Sequence, residues 1–390
     1  MLPYILCYST SCLFTKLASD YKLKNRRKAY VILSAIAVII PCMLAALRDS
    51  SVGTDVEVYG DTFFSRALTM DFFDFVTHQE ESYLYMVVVY ICAHTVGTLQ
   101  FQYFVLQALS IVPFYIVLQR DDTVRYSWFG LLIYYLMFFP YSLNLMKQSI
   151  AVAITFWGFK FVQERRFFKY VITIIIAVLF HYTAFIGLFV YPVYILVHST
   201  MKRDLVSADN NEAEKPSRKS KSAISRFVNK YGQIISWLII GITVIVLTQV
   251  GRLVTFLYQY NLTEYEYFYN KMSIANGINI YFLLLLAPIF IMYLINRKYY
   301  ERTSADMRPL FVLSLMGVIL YEATAISSET YRISLYFYIF LPIFAKKLVA
   351  YKSRKDRNLW IVLLILVMAL FSWFFFVHRS WCGIYPYVLR

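Results

Sequence analysis

The chain has 390 residues, of which 60% are hydrophobic and only 16% charged, and its formal net charge is +15 at pH 7. Apolar runs long enough to cross a bilayer recur along it, which excludes a water-soluble globular protein; they are continuous rather than alternating, which excludes barrel strands and leaves helices. In a soluble chain such a positive balance would point to nucleic acid, but here it sits in loops between apolar runs, where it reports topology and implies no nucleic-acid partner.

The predicted fold is all-α: a polytopic membrane protein forming a single transmembrane domain over residues 1–390, with about twelve spans. A first helix covers Leu2 to Phe14, and the cluster Lys22, Lys24, Arg26, Arg27 and Lys28 follows it on the cytoplasmic side. A second, Ala29 to Leu47, delivers Arg48 to the outer face. Residues 48–98 read as an extracytoplasmic loop, acidic and aromatic, with a surface half-helix over Ser82 to Ala93 ahead of Gly97. A full span is predicted over Leu99 to Leu118, and Arg120 and Arg125 return the chain to the cytoplasm.

Tyr126 to Phe139 then leads out, Pro140 marks a break, and Leu143 to Val162 leads back. Tyr170 to Phe180 and Tyr182 to Val197 form the next pair. Residues 200–230, basic and poor in apolar side chains, read as a disordered cytoplasmic loop. Tyr231 to Val250 leads to a tyrosine-rich outer loop over residues 251–279, and Ile280 to Ile295 returns. Leu310 to Ile326, Ile333 to Phe344 and Leu359 to Val377 complete the set. The five cysteines lie in or beside apolar sequence without metal-ligand spacing, and read as small core hydrophobes.

This map gathers charges that are far apart in sequence. Arg48, Asp55, Lys147, His181, Glu329 and Arg332 each fall at or near the external end of a helix, and charge beside lipid is costly enough to mark a site. Arg48 follows an apolar run and precedes Gly53-Thr54-Asp55; it is read as a binding group rather than a headgroup anchor. Among Asp49, Asp55, Glu57 and Asp61, which also fit a solvated face, Asp55 is best placed after the turn to act as a base. Asn144 resembles an N-cap. Lys147 then falls in the first turn of a helix, where a cation opposes the helix dipole unless an anion is bound between it and the free N–H groups. His181 between two apolar runs fits a structural hydrogen bonder and a general base equally. Glu329 and Arg332 either pair with each other or serve a substrate, and the tyrosines around Tyr265 and Tyr267 form an interfacial belt or a platform for sugars. No second histidine stands at ligand spacing, and no metal is expected.

Taken in order, Arg48 with Val52-Gly53-Thr54-Asp55 and Tyr59, the stretch Asn144, Lys147, Gln148 and Ala151, His181, Arg332 ahead of Tyr336, and Pro386-Tyr387 resemble the EpsG family of Wzy-type bacterial polysaccharide polymerases. Where that family usually has arginine before the glutamine, this chain has Lys147, which keeps the charge and loses the planar fork. The resemblance implies a GT-C-like architecture in the bacterial cytoplasmic (inner) membrane with its active site facing outward. It implies a glycosyltransferase without cofactors that moves a growing glycan from undecaprenyl diphosphate to a sugar hydroxyl of a lipid-linked repeat unit, building O-antigen, capsule or exopolysaccharide. Its partners would be the undecaprenyl-diphosphate-linked oligosaccharide, membrane lipid and a chain-length regulator protein. In that setting Arg48, Lys147 and Arg332 would hold the diphosphate, and Asp55 or His181 would take the acceptor proton. Tyr59, Gln148, Tyr265, Tyr267 and Glu329 would contact substrate. A lipid-linked glycan flippase, an O-antigen ligase and a sugar O-acyltransferase are the rival readings.

Overall fold

The computed structural model describes residues 1–77, 82–198, 238–239, 241, 280–322 and 331–390. These are helical almost throughout, with no strand among the described residues beyond one isolated antiparallel bridge, Arg48 to Leu389. The chain, read from sequence as one domain, divides into two compact units: residues Met1–Phe161, Phe168–Phe185 and Ala345–Arg390, and residues Val162–Phe167 and Ile186–Phe344.

The first unit begins with α1 (Leu2–Leu23) and α2 (Arg27–Ala46). α1 runs past the apolar stretch through Lys16 and Asp20, because the i, i+4 set Ser11, Thr15 and Ser19 is fully buried and holds the helix to its neighbours. Ser11 Oγ lies 2.6 Å from both the Ala37 carbonyl of α2 and the Tyr135 hydroxyl. Short helices α3 (Thr62–Ala67) and α4 (Phe72–Thr77) and the longer α5 (Tyr83–Thr95) follow within the segment read as a loop. α6 (Leu99–Leu118) has the predicted bounds, its N-cap Thr98 accepting from the Phe101 N–H at 3.3 Å.

The next two predicted spans are broken into shorter pieces. α7 (Ser127–Met137), α8 (Phe139–Asn144), α9 (Met146–Trp157) and α10 (Phe159–Gln163) replace them, with Pro140 at the start of α8 and a non-helical residue, Leu145, between α8 and α9. α11 (Phe167–Phe180) comes next. Aromatic stacking joins the central helices: Phe114 of α6 stacks on Tyr134 of α7 at 4.2 Å and on Phe156 of α9 at 5.2 Å.

In the second unit, α12 (Ile280–Ile295), α13 (Arg297–Thr303), α14 (Met307–Tyr321) and α15 (Tyr331–Tyr338) pack around stacked rings such as Phe282 on Tyr321 at 3.7 Å. Buried Arg308 meets Glu301 with two bonds of 2.9 and 2.7 Å, and Glu301 also accepts from the Tyr293 hydroxyl at 2.6 Å. α16 (Leu341–Tyr351) and α17 (Arg354–Ser372) lead to the carboxy-terminal residues.

Among the described residues four helices are long and apolar enough to cross a membrane: Arg27–Ala46, Leu99–Leu118, Tyr331–Tyr351 and Lys355–His378. A fifth is counted if the bent pair Tyr281–Ile295 and Arg297–Thr303 is one span. Against an expected dozen, the difference comes from the breaks between α7 and α10, from shorter apolar helices such as Tyr83–Thr95 and Phe167–Phe180, and from the predicted span Tyr231 to Val250, which falls outside the described residues apart from 238–239 and 241.

Candidate functional site

Arg48 sits just past the end of α2, in a loop held by residues from the far end of the sequence. The Asp49 N–H donates to the Val388 carbonyl at 2.9 Å, the Arg390 N–H to the Leu47 carbonyl at 3.0 Å and the Gly53 N–H to the Gly383 carbonyl at 2.9 Å. The Tyr387 hydroxyl adds a bond to the Leu44 carbonyl at 2.7 Å. Gly53 is required: its φ is +115°, and a Cβ there would lie 3.2 Å from the Leu143 carbonyl.

Held this way, Arg48 turns inward and is only 1% exposed. Its Nη1 donates to the Leu143 carbonyl at 2.5 Å, its Nη2 to Met146 Sδ at 3.3 Å, and its guanidinium lies 4.8 Å over the Tyr103 ring. Nε has no partner among the described residues. Burial lowers the guanidinium's pKa, while the hydroxyls of Tyr103, Tyr4, Tyr387 and Tyr85 act in the opposite sense. An arginine stays charged even so. No carboxylate among the described residues forms an ion pair with it, so its charge is met only by one carbonyl, one sulfur and aromatic faces.

The residues it grips flank the break between α8 and α9. Asn144, expected as the N-cap of the following helix, is instead the last residue of α8, and Leu145 occupies the cap position with φ −86° and ψ 59°. Asn144 Oδ1 accepts from the Asp55 N–H at 2.8 Å and from the Thr54 hydroxyl at 3.1 Å, which fixes the loop bearing Asp55. Lys147, second in α9, is half-buried with Nζ 3.6 Å over the Tyr59 ring and 5.8 Å over Tyr85. The Tyr85 hydroxyl donates to the Tyr59 carbonyl at 2.5 Å, so the two rings that flank the ammonium are tied together. Gln148 is 2% exposed on the next position of the same turn.

Behind Tyr103 stands Asp61. The Tyr103 and Ser50 hydroxyls donate to its two carboxylate oxygens, and Arg390 pairs with it at 3.4 Å. Asp61 is therefore a support for the ring beneath Arg48. Gly60 next to it approaches the same ring so closely that a Cβ would lie 2.8 Å from Tyr103 Cε1. Arg48, Asp55, Tyr59, Lys147 and Gln148 are thus brought to one break in one helix pair. Tyr103, Tyr85, Asp61 and the side chain of Asn144 join them without having been singled out as site residues from sequence.

Residues 31–205 match the sequence model of the EpsG family, and this span holds the loop, the helix break and the tyrosines around them. It is an EpsG-family region. That family is one of polysaccharide polymerase-like membrane proteins. No curated protein and no solved structure matches the chain.

His181 lies inside the EpsG-family region, directly after α11. Its Nδ1 is 2.7 Å from the Thr183 hydroxyl, and its ring stacks on Tyr182 at 5.1 Å. Arg332 lies beyond the EpsG-family region, half-buried in the first turn of α15 in the second unit. Glu329, Tyr265 and Tyr267 fall outside the described residues, as do the loops over 200–230 and 251–279. Among the described residues no three His, Cys, Asp or Glu side chains gather into a metal-holding cluster.

Proposed function

We propose that this protein is a polysaccharide polymerase that transfers a growing glycan from a polyprenyl diphosphate, undecaprenyl diphosphate in bacteria, to a sugar hydroxyl of a lipid-linked repeat unit. The reaction would take place at the outer face of the cytoplasmic membrane, in a multi-pass protein. The observation that carries this reading is the buried Arg48 guanidinium with no carboxylate partner among the described residues, held at a helix break beside Lys147. A buried charge left uncompensated is costly, and a substrate anion is the natural compensation.

In the proposed step the acceptor oxygen forms a bond to the anomeric carbon as the bond from that carbon to the diphosphate breaks, the electron pair leaving with the diphosphate. Arg48, with Lys147, stabilises the charge that grows on the departing group, most strongly where water is excluded. The acceptor proton goes to the Asp55 carboxylate, whose backbone is fixed by Asn144. Tyr59, which is half-buried, is the tyrosine at the break against which a sugar ring packs. His181 is the other group able to take the proton, and Arg332 a further cation for the carrier.

The test is glycan length on gels from cells lacking the native gene and complemented with wild type or with Arg48→Ala, Lys147→Ala, Asp55→Asn, His181→Ala or Arg332→Ala at matched membrane expression. Single repeat units in the deletion strain, restored to a ladder by wild type but not by Arg48→Ala or Asp55→Asn, are expected. Loss of all surface glycan in the deletion strain, single units included, would move the protein to an earlier step such as flipping, or to attachment itself.

A further inference from the structure

The side chain of Asn144 does more than its place at the end of α8 requires. Its Oδ1 is committed to the Asp55 N–H and the Thr54 hydroxyl, and a backbone N–H can only donate. The orientation of the amide is therefore settled, and Nδ2 points away from the loop. Both of its hydrogens are without a partner among the described residues, although Asn144 is only 4% exposed.

The neighbours of Asn144 in sequence show what kind of group could meet that donor. Leu143 before it presents its carbonyl to Arg48 Nη1, and Met146 after it presents its sulfur to Nη2. The guanidinium thus straddles the residue that carries the amide, with Nε buried and unpartnered. Ser149 N–H reaches the Leu145 carbonyl at 2.8 Å, which makes it the first of the α9 amides to bond back across the break. Donors of two kinds, guanidinium and side-chain amide, therefore meet at the four residues Leu143 to Met146. A phosphate oxygen accepts from both.

We infer that Asn144 is a further substrate-binding residue, its Nδ2 donating to an oxygen of the diphosphate that Arg48 holds. This rests on the reading of Arg48 as a diphosphate site. Through Oδ1 the same amide ties the Asp55 loop to the bound anion, so one side chain sets the spacing between the leaving group and the base.

Binding of inorganic diphosphate to the full-length protein in detergent, followed by calorimetry alongside the melting temperature, tests it with Asn144→Asp, Asn144→Ala, Thr54→Val and Arg48→Ala. Asn144→Asp keeps an acceptor for the loop and loses the donor, and Thr54→Val removes one loop bond and leaves the donor. Diphosphate affinity is expected to fall about tenfold or more in Asn144→Asp and Asn144→Ala, equivalent to about 1.4 kcal/mol. It is expected to change less than about twofold in Thr54→Val, with Asn144→Asp melting as the wild type does. Wild-type affinity in Asn144→Asp, or an equal loss in Thr54→Val and Asn144→Ala, would overturn the assignment and leave Arg48 as the diphosphate group. A wild-type protein that binds no diphosphate, or an Arg48→Ala variant that binds it undiminished, would instead overturn the underlying reading, and this inference with it.

Discussion

The two ends of α6 bury cations in opposite ways. Near its start, Tyr103 lies under Arg48, which has no carboxylate partner among the described residues. Past its end, roughly 22 Å along the helix from Tyr103, Asp121 receives Lys346 at 2.7 Å and Lys347 at 3.3 Å, both lysines being nearly or fully buried. Lys346 also donates to the Leu118 carbonyl at 2.8 Å. With Asp122 3.9 Å from Lys347, the Asp121 end sets two carboxylates against two lysines and its charges answer each other. The Arg48 end is open by one negative charge. The buried cations at the two ends differ in their partners, not in their depth.

The contrast is broken most strongly from the closed end. Asp121→Ala leaves two buried lysines facing each other and is expected to cost about 3–5 kcal/mol, read as a fall in melting temperature in detergent. At the open end, Arg48→Met is expected to do the reverse: melting unchanged or slightly raised, because an uncompensated charge is removed, while ladder formation falls about 10²- to 10³-fold. A large destabilisation by Arg48→Met would erase the distinction drawn between the two ends.

Acid sharpens it. Burial pushes the Asp121 carboxyl up, but Lys346, Lys347 and the Thr123 hydroxyl pull it further down, from its ordinary 3.8 to about 2. A depressed carboxyl stabilises the fold above its unfolded value, and that contribution is lost as pH falls from about 4 through about 2. Wild type should therefore show a loss of melting temperature in that window that Asp121→Asn lacks. Gly60→Ala, which drives a methyl toward the Tyr103 ring, is expected to cost about 1–3 kcal/mol and to impair the ladder by displacing the surface under Arg48. The smallest effect belongs to Arg390→Ala, about 1 kcal/mol or less in melting, since its pair with Asp61 is partly exposed.

Much of this was readable from local pattern. α6 and α12 have the bounds that apolar length alone predicts, and α2 differs by two residues at its start and one at its end. Arg48 stands out in the sequence as a charge set against an apolar run and Lys147 as a cation misplaced against a helix dipole, and the structure brings both to the break between α8 and α9. The role of Asn144 was not legible, because a cap and a loop anchor use the same side-chain oxygen, and only the partner tells them apart. Nor could Tyr103 be picked out among 35 tyrosines, since its value lies in contacts with Arg48 and Asp61, 55 and 42 positions away. The expected dozen spans is not confirmed among the described residues, in part because hydropathy measures how apolar a run is and not whether its backbone stays in one piece, and Leu145 interrupts such a run.

The hydrogen bonds between residues 47–53 and 383–390 also set when the loop around Arg48 can close during synthesis. Ser50 meets Arg390 across 340 positions of sequence. With synthesis at about 5–20 residues per second, the loop waits about 20–70 s for its partner. During that interval the nascent chain threads its helices into the bilayer with its site unassembled. The loop that bears Arg48 is therefore closed only after the intervening sequence has been made.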